Sequence, residues 1–216
     1  MGLPAPLAEF MLHEHKYRRI EGKVLFIGRQ TVYLTDQTLD VLLRRHGLKN
    51  LAAGPVEYDN ETVEGKKYHR FITDRYFMKT LGVENVSFMD VTKYENADII
   101  HDLGYKVGKS LHNRFDFIYN GGCLDNMFNP AVALMNMSKM LKTGGRIICM
   151  ESAGSWNWPY LMFSPGWFYD YFTVNGYSDC KTYIAAYPND EELLLGPWNM
   201  YSVNMGVNKS GPSPEA

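Results

Sequence analysis

Four short groups of residues each follow an apolar run of the right length for a buried strand. They are Gly28-Arg29-Gln30, Asp90-Val91, His101-Asp102 and Asn120-Gly121-Gly122. In an open parallel sheet, ligands bind at the carboxyl ends of the strands, near the point where the strand order reverses. A glycine there lets the backbone turn tightly, and a carboxylate accepts hydrogen bonds from a ribose diol or an exocyclic amine. The four groups therefore predict a site for a nucleoside-type cofactor.

The same residues also have purely structural interpretations. An aspartate at a strand end is often a turn residue or a helix cap, and a glycine pair is often only a turn. His101 has the alternative of being a buried histidine with satisfied hydrogen bonds, and Asp125 suits a helix cap before Pro130. Function is favoured because all four groups fall at one edge of one predicted sheet.

Alternating strands and helices are predicted over the first 150 residues. The predicted strands, apolar on both faces, are 23–28, 86–90, 97–103, 115–120 and 146–150. The predicted helices are 5–19, 35–46, 68–81, 130–141 and 165–175. Two β-rich segments, 180–187 and 198–207, predict a hairpin that closes the sheet edge. The pattern is typical of an α/β fold with a parallel sheet covered by helices on both faces.

One domain spanning residues 1–209 is expected, because a chain of 216 residues suits a single core. Within it, residues 1–22 form an N-terminal helical segment, and the polar stretch 48–67 is an insertion or a lid. Residues 210–216, with two prolines and a glycine, are expected to form a disordered tail.

Charge and cysteine content argue against several classes of protein. Lys plus Arg total 22 and Asp plus Glu total 24, without the basic stripe that marks a nucleic-acid partner. Cys123, Cys149 and Cys180 are widely spaced, which predicts reduced thiols in a cytoplasmic protein rather than disulfides or a metal site. No stretch has the pattern of a signal peptide or approaches the roughly 20 apolar residues of a membrane span, so no membrane partner is expected.

Aromatic residues are concentrated between Trp156 and Phe172, after the last predicted parallel strand. An aromatic wall suits a sugar ring, a planar ring or a cationic amine, so an acceptor-binding role is expected there. The candidates are Trp156, Trp158, Tyr160, Trp167 and Tyr169. The alternative is that these rings form core or a subunit interface, as in a homodimer.

The order of these motifs resembles class I S-adenosylmethionine-dependent methyltransferases. The segments that carry the resemblance are VLFIGRQ from Val24, VSFMDVTKYENADIIHDL from Val86, RFDFIYNGGCLDNMFN from Arg114, MLKTGGRIICME from Met140 and SPGWFY from Ser164. They are most similar to a methyltransferase-like branch with a GRQ-type turn after the first strand. The resemblance implies a Rossmann-like fold with a mostly parallel seven-stranded sheet and an antiparallel C-terminal hairpin.

The resemblance also implies which residues hold the cofactor. The residues Gly28, Arg29 and Gln30 would line the methionine end of S-adenosylmethionine. Asp90 and Val91 would lie at the ribose, and Asp102 with His101 at the adenine amine. Asn120, Gly121 and Gly122 would border the methyl group and the acceptor. The usual glycine-rich loop is missing, because Gly28 is followed by Arg29-Gln30-Thr31, so Arg29 is expected to meet the cofactor carboxylate.

Catalysis mainly requires alignment of donor and acceptor, and a base is needed only if the acceptor loses a proton early. The base candidates are Asp125, His101 and Glu151, with Asp125 ranked first because it follows the fourth strand. Asn126 is expected on the acceptor side. Where the branch has Asp, Glu and His, this chain has Asn120, Asp125 and Asn126.

The expected function is therefore S-adenosylmethionine-dependent methyl transfer to a small-molecule acceptor, such as a sugar or another biosynthetic intermediate. The alternative is a catalytically inactive methyltransferase-like protein that serves as a binding or scaffold partner. The loss of the histidine in the fourth-strand motif, where Asn126 stands, favours that alternative.

Overall fold

The computed structural model describes residues 2–154, 159–205 and 213–214. In chain order the elements are β1 (Gly2–Leu3), α1 (Ala5–Tyr17), β2 (Val24–Ile27), β3 (Thr31–Val32), α2 (Asp36–Arg45), α3 (Val63–Tyr68), α4 (Asp74–Thr80), β4 (Val86–Asp90), β5 (Ile99–Ile100), β6 (Phe115–Gly121), α5 (Pro130–Met140), β7 (Leu141–Met150), α6 (Pro165–Val174), β8 (Tyr183–Ala186), α7 (Asp190–Leu195), β9 (Asn199–Ser202) and β10 (Ser213–Pro214). Short 3-10 turns lie at Lys109–Leu111 and Leu124–Asn126.

The central sheet has five strands in the order β5-β4-β2-β6-β7, and every neighbouring pair is parallel. Counted along the chain, this is the order 3-2-1-4-5 that begins the doubly wound dinucleotide-binding fold. The chain first builds outward from β2 through β4 to β5 and then returns to the other side of β2. The order therefore reverses between β2 and β6, whose carboxyl ends form the switch point.

Alternate side chains of the sheet form two hydrophobic clusters, one on each face. Phe26, Phe88 and Phe117 pack with helices α1, α2 and α4, whereas Leu25 and Met89 pack with α5 and α6. Successive residues of a strand point to opposite faces, so strands that are apolar at every position require cover on both. The prediction of an α/β fold with helices on both faces is confirmed.

The prediction of a seven-stranded sheet is wrong. β8 and β9 do pair antiparallel, but together with β10 they form a separate three-stranded sheet rather than extending the central sheet beyond β7. The physical reason lies in their apolar contacts. The ring of Tyr183 on β8 packs edge-on against Phe10 of α1, with 5.5 Å between centroids. The hairpin is therefore placed by a helix and does not close the sheet edge.

The insertion at 48–67 is anchored beside the end of β2. Thr62 caps α3 by accepting from the Gly65 backbone N–H at 3.1 Å, and its hydroxyl lies 2.6 Å from that of Thr31. Asp59, only 1% exposed, accepts from the Thr62 backbone N–H at 3.0 Å. A Cβ on Gly65 would lie 2.2 Å from Asp59 Cγ, so this position requires glycine. The segment is thus tied to the residues that follow the first strand of the sheet.

Other boundaries differ from those predicted. The helix expected from 68 begins at Asp74, because Thr73 caps it by accepting from the Tyr76 backbone N–H at 2.9 Å. The strand expected over 97–103 is reduced to Ile99–Ile100.

No helix among the described residues has the length and apolarity needed to cross a bilayer. Within the tail at 210–216 the structure describes only Ser213–Pro214, which pair with β9, and disorder of that segment stays a prediction.

Candidate functional site

The turns after β2 and β6 lie side by side at the switch point, because Ile27 and Asn120 are register partners. Gly28 has a φ of +74° and Gly122 a φ of +80°, a left-handed conformation that glycine adopts without strain. Gly28 donates its N–H to Met89 and Gly122 donates to Met150, each at 2.7 Å. Each turn is therefore held against the end of a neighbouring strand, which brings the predicted glycines together.

Arg29 lies in the first of these turns, but its guanidinium is occupied by the protein. Nε and Nη2 donate to the two carboxylate oxygens of Asp74 at 2.9 and 2.8 Å, and Nη1 donates to Glu61. Burial lowers the pKa of Arg29, but hydrogen bonds and charge from Asp74 and Glu61 raise it overall. These contacts do not support the prediction that Arg29 meets the cofactor carboxylate. Arg29 instead joins the turn to α4 and to the insertion.

Three buried side-chain oxygens at the switch point have no hydrogen-bond partner in the described part of the chain. They are Gln30 Oε1, Tyr119 Oη and Asn120 Oδ1, and all three residues are 0% exposed. A Cβ on Gly121 would lie 2.7 Å from Tyr119 Oη and 2.9 Å from Gln30 Oε1, so only glycine fits between them. Buried polar groups are nearly always paired in folded proteins. Three buried oxygens without a partner at one edge of the sheet therefore mark this place as the candidate ligand site.

Asp125, which is buried, and Glu151, which is half-buried, form a pair of carboxyl groups just beyond β6 and β7. Glu151 accepts from the backbone N–H groups of Leu124 at 3.1 Å and Asp125 at 2.9 Å, and from Asn120 Nδ2 at 2.5 Å. Asp125 is 8% exposed and accepts from Asn126 Nδ2 at 2.7 Å. Burial and then the charge of Asp125 raise the pKa of Glu151 to about 8, and burial also raises that of Asp125. The pair therefore retains a proton at neutral pH.

Two further strand-end acids, Asp90 and Asp102, are close enough to Cys123 for their charges to act on its thiol, as those of Asp125 and Glu151 do. Burial and then the charges of Glu151, Asp90, Asp125 and Asp102 raise the pKa of the Cys123 thiol to about 12. Asp90 Oδ1 accepts from the Thr92 N–H at 3.2 Å, and Asp102 Oδ1 accepts from the Gly104 N–H at 2.8 Å. Each acid thus holds its own turn with one oxygen. The other oxygen has no partner among the described residues.

His101 and Val91 are placed less favourably for the predicted roles. His101 Nε2 lies 3.1 Å from the Tyr105 carbonyl oxygen, so its ring already has a hydrogen-bond partner, but the residue is half-buried rather than buried as the structural alternative has it. Val91 is 59% exposed in the loop after β4. Of the three base candidates, Asp125 and Glu151 are the two that the structure brings together.

The aromatic segment divides into core and surface. Trp167 packs edge-on against Phe163 at 4.8 Å and joins the hydrophobic cluster under α5 and α6, so the alternative of core packing describes it better than an acceptor wall. Tyr169 is half-buried on α6. Trp156 and Trp158 lie outside the described residues.

Tyr160 does lie beside the carboxyl pair, together with a residue that the sequence reasoning missed. Its backbone N–H donates to the Asp125 carbonyl at 2.8 Å, and its ring stacks on Phe128 with 5.3 Å between centroids. Phe128 is 95% exposed. Its position three residues after Asp125 could have identified it, but an isolated phenylalanine in a loop carries no periodic signal. Asn126, which lies between Asp125 and Phe128 in sequence, is exposed. Its side-chain N–H groups donate to the Asp125 side chain and to the Gly122 carbonyl oxygen.

In comparisons with known proteins, no family model matches the chain, and no curated protein matches its sequence significantly. The inferences about function therefore rest on the residues and their geometry.

Proposed function

We propose that this chain transfers a methyl group from S-adenosylmethionine to a small-molecule acceptor. The observation that carries the proposal is the cluster of glycine turns, a half-free carboxylate and unpartnered buried oxygens at the switch point of a parallel 3-2-1-4-5 sheet. A ligand that combines a nucleoside with an amino-acid tail matches that set of groups. The fold in this proposal is a class I methyltransferase type whose sheet stops at β7.

The residues present fit the groups of this cofactor. The α-ammonium group of the cofactor needs a hydrogen-bond acceptor, and Gln30 Oε1 is a buried acceptor without a donor. Tyr119 Oη can donate a hydrogen bond to the carboxylate of the cofactor. The half-free carboxylate of Asp90 suits the ribose diol, and that of Asp102 suits the adenine amine. Gly28, in a left-handed turn, has no Cβ to obstruct close approach of a ligand to the backbone. When bound, the cofactor supplies an electrophilic methyl group on a sulfonium centre.

The remaining residues of the site handle the acceptor and its proton. Asn120 holds Glu151 through its amide N–H, and the backbone N–H groups of Leu124 and Asp125 fix the same carboxyl group from the other side. Because the Asp125–Glu151 pair already shares a proton, its remaining negative charge can accept one from an acceptor at neutral pH.

Replacing Asp90 with alanine tests the cofactor site. We expect the wild-type protein to bind S-adenosylhomocysteine and Asp90→Ala to bind it at least about tenfold more weakly, because hydrogen bonds to a charged acceptor are worth about 1.5–3 kcal/mol. Isothermal titration calorimetry measures both affinities. Asp179→Ala is the matched control, since Asp179 is an exposed aspartate in the loop between α6 and β8.

Equal affinities of Asp90→Ala and Asp179→Ala would show that Asp90 does not hold the ribose. No binding of S-adenosylhomocysteine or S-adenosylmethionine to the wild-type protein would overturn the proposal. The catalytically inactive binding or scaffold protein would then describe the chain better.

A further inference from the structure

The acceptor end of the site has negative charge that the surrounding chain does not neutralise. Asp125 and Glu151 form the proton-sharing pair, and the charges of Asp90 and Asp102 act with theirs on the same thiol, that of Cys123. None of these four carboxyl groups takes part in an ion pair within the described ranges. The guanidinium of Arg29, in the neighbouring turn, is already paired with Asp74 and Glu61. A site of this kind is complementary to a cation.

An orphaned oxygen inside the cluster points to a ligand that donates hydrogen bonds. Asn120 is 0% exposed, and its Nδ2 donates to Glu151, so its amide lies directly against the carboxyl pair. Its Oδ1 has no partner in the described part of the chain. An amide oxygen and a carboxylate are both acceptors, and a group with several N–H bonds and a positive charge satisfies them together.

A pair of stacked, exposed rings adjoins the same cluster. Phe128 is 95% and Tyr160 is 63% exposed, and their ring planes are inclined by 22°. The hydrogen bond from the Tyr160 backbone N–H to the Asp125 backbone carbonyl places Tyr160 next to Asp125 in the fold. Aromatic faces attract both flat apolar groups and cations. The two rings therefore provide a surface for the body of a ligand whose charged end lies at Asp125.

We infer that the acceptor is an amine attached to a flat apolar ring, bound as its ammonium ion. The nitrogen lies at Asn120 Oδ1 and the Asp125–Glu151 pair, and the ring lies on Phe128 and Tyr160. This inference rests on the proposed function, because it names the class of acceptor for that reaction. It replaces the broader expectation of a sugar or another biosynthetic intermediate.

The carboxyl pair also explains how the bound ammonium becomes a nucleophile. One N–H bond of the ammonium breaks and an O–H bond forms on the ionised carboxylate, while the electron pair stays on nitrogen. The cation becomes a neutral amine and the carboxylate becomes a neutral acid, so charge and protons balance without a further reactant. The proton then passes from Asp125 to solvent, to which this residue remains 8% exposed.

A metal ion is a poorer match to the same acids. In the described ranges, no three His, Cys, Asp or Glu side chains are placed to share one ion. Asn120 instead donates to Glu151, and the backbone of Tyr160, whose ring stacks on Phe128, is hydrogen-bonded to Asp125. That arrangement suits an extended organic cation better than a point charge.

Calorimetry with phenethylamine and its uncharged isostere 2-phenylethanol tests the inference in the absence of cofactor. At pH 7 we expect phenethylamine to bind at least about tenfold more tightly than the alcohol, because only the cation pairs with the carboxyl groups. Asp125→Asn is expected to remove that preference. Phe128→Ala is expected to weaken phenethylamine binding by about twofold to fivefold. Because Phe128 is exposed, its replacement leaves the fold intact, which circular dichroism and an unchanged thermal midpoint would verify.

Asp179→Ala is the matched control and is expected to bind phenethylamine as the wild-type protein does. Equal binding of the amine and the alcohol, or no amine binding at about 10 mM, would overturn the inference. An amine preference that survives both Asp125→Asn and Phe128→Ala would also overturn it, because the cation would then bind elsewhere. S-adenosylhomocysteine is titrated separately: if it binds while the amine preference is absent, the acceptor class is wrong and the proposed function stands. If the amine binds and the cofactor does not, the proposed function fails instead.

Discussion

Replacing Asp74 with alanine is expected to lower the free energy of unfolding by about 3–5 kcal/mol. Asp74 is 0% exposed and forms a two-point ion pair with Arg29, which is 2% exposed. It also accepts from the backbone N–H groups of Gln30 and Arg75, each at 2.9 Å. The substitution leaves the buried guanidinium with Glu61 as its remaining charged partner and the Glu95 carbonyl as a further acceptor, and it leaves two backbone N–H groups without their acceptor. Urea unfolding followed by circular dichroism measures the change.

Glu64→Ala is the matched control for this effect. Glu64 pairs with Lys67 across one turn of α3, but the two charges are 3.8 Å apart and largely exposed. An exposed pair of this kind is worth at most about 1 kcal/mol. If Asp74→Ala destabilised the protein no more than Glu64→Ala does, the buried ion pair could not be what joins the turn after β2 to α4.

The second large effect is a pH dependence of stability that Glu151 controls. The pKa of Glu151 rises from the ordinary value of 4.5 to about 8 in the folded protein. Between these values the folded state binds the proton and the unfolded state does not. The stabilising contribution of this group is therefore complete below about pH 4.5 and is lost as the pH rises through about 8. At about 1.4 kcal/mol per unit of pKa difference, the loss amounts to several kcal/mol.

Glu151→Gln removes the titrating group, so the unfolding free energy of the wild-type protein should fall relative to that of this variant as the pH rises from about 4.5 to about 8. The comparison of the two proteins cancels the contributions of titrating residues that do not interact with Glu151. Glu84→Gln, at an exposed glutamate before β4, is expected to show no such trend. A constant difference between wild type and Glu151→Gln across this range would show that Glu151 ionises normally and that no proton is shared with Asp125.

Local features of the fold were predictable because they depend on neighbours in the chain. β4 occupies the predicted residues 86–90, and α5 ends one residue before the predicted end at 141. Helices on both faces followed from strands that are apolar at every position. The edge of the sheet that carries Gly28, Asp90 and Asn120 was predicted by the same local pattern.

The parts that could not be predicted depend on contacts between distant residues. The separate hairpin sheet is held by Tyr183 against Phe10, a contact that no alternation of residues encodes. Arg29 was assigned to the cofactor because Asp74, 45 positions away, was not recognisable as its partner. Asp125 and Glu151 were both candidates for a base, but their pairing required β6 and β7 to be adjacent. Methyl transfer itself stays a proposal.

Hydrogen exchange measured by mass spectrometry, with and without S-adenosylhomocysteine, locates the bound cofactor on the chain. We expect slower exchange in the turns at 28–30, 90–92 and 120–125, and no change in the β8–β9 hairpin. A cleft of about 340 Å³ at the opposite end of the sheet is the alternative place where a ligand could slow exchange. It lies at the amino ends of β6 and β7 and is lined by Arg18, Asp116 and Arg146, among others. Slowed exchange only around that cleft, or no slowing at the three turns, would contradict a cofactor site at the switch point.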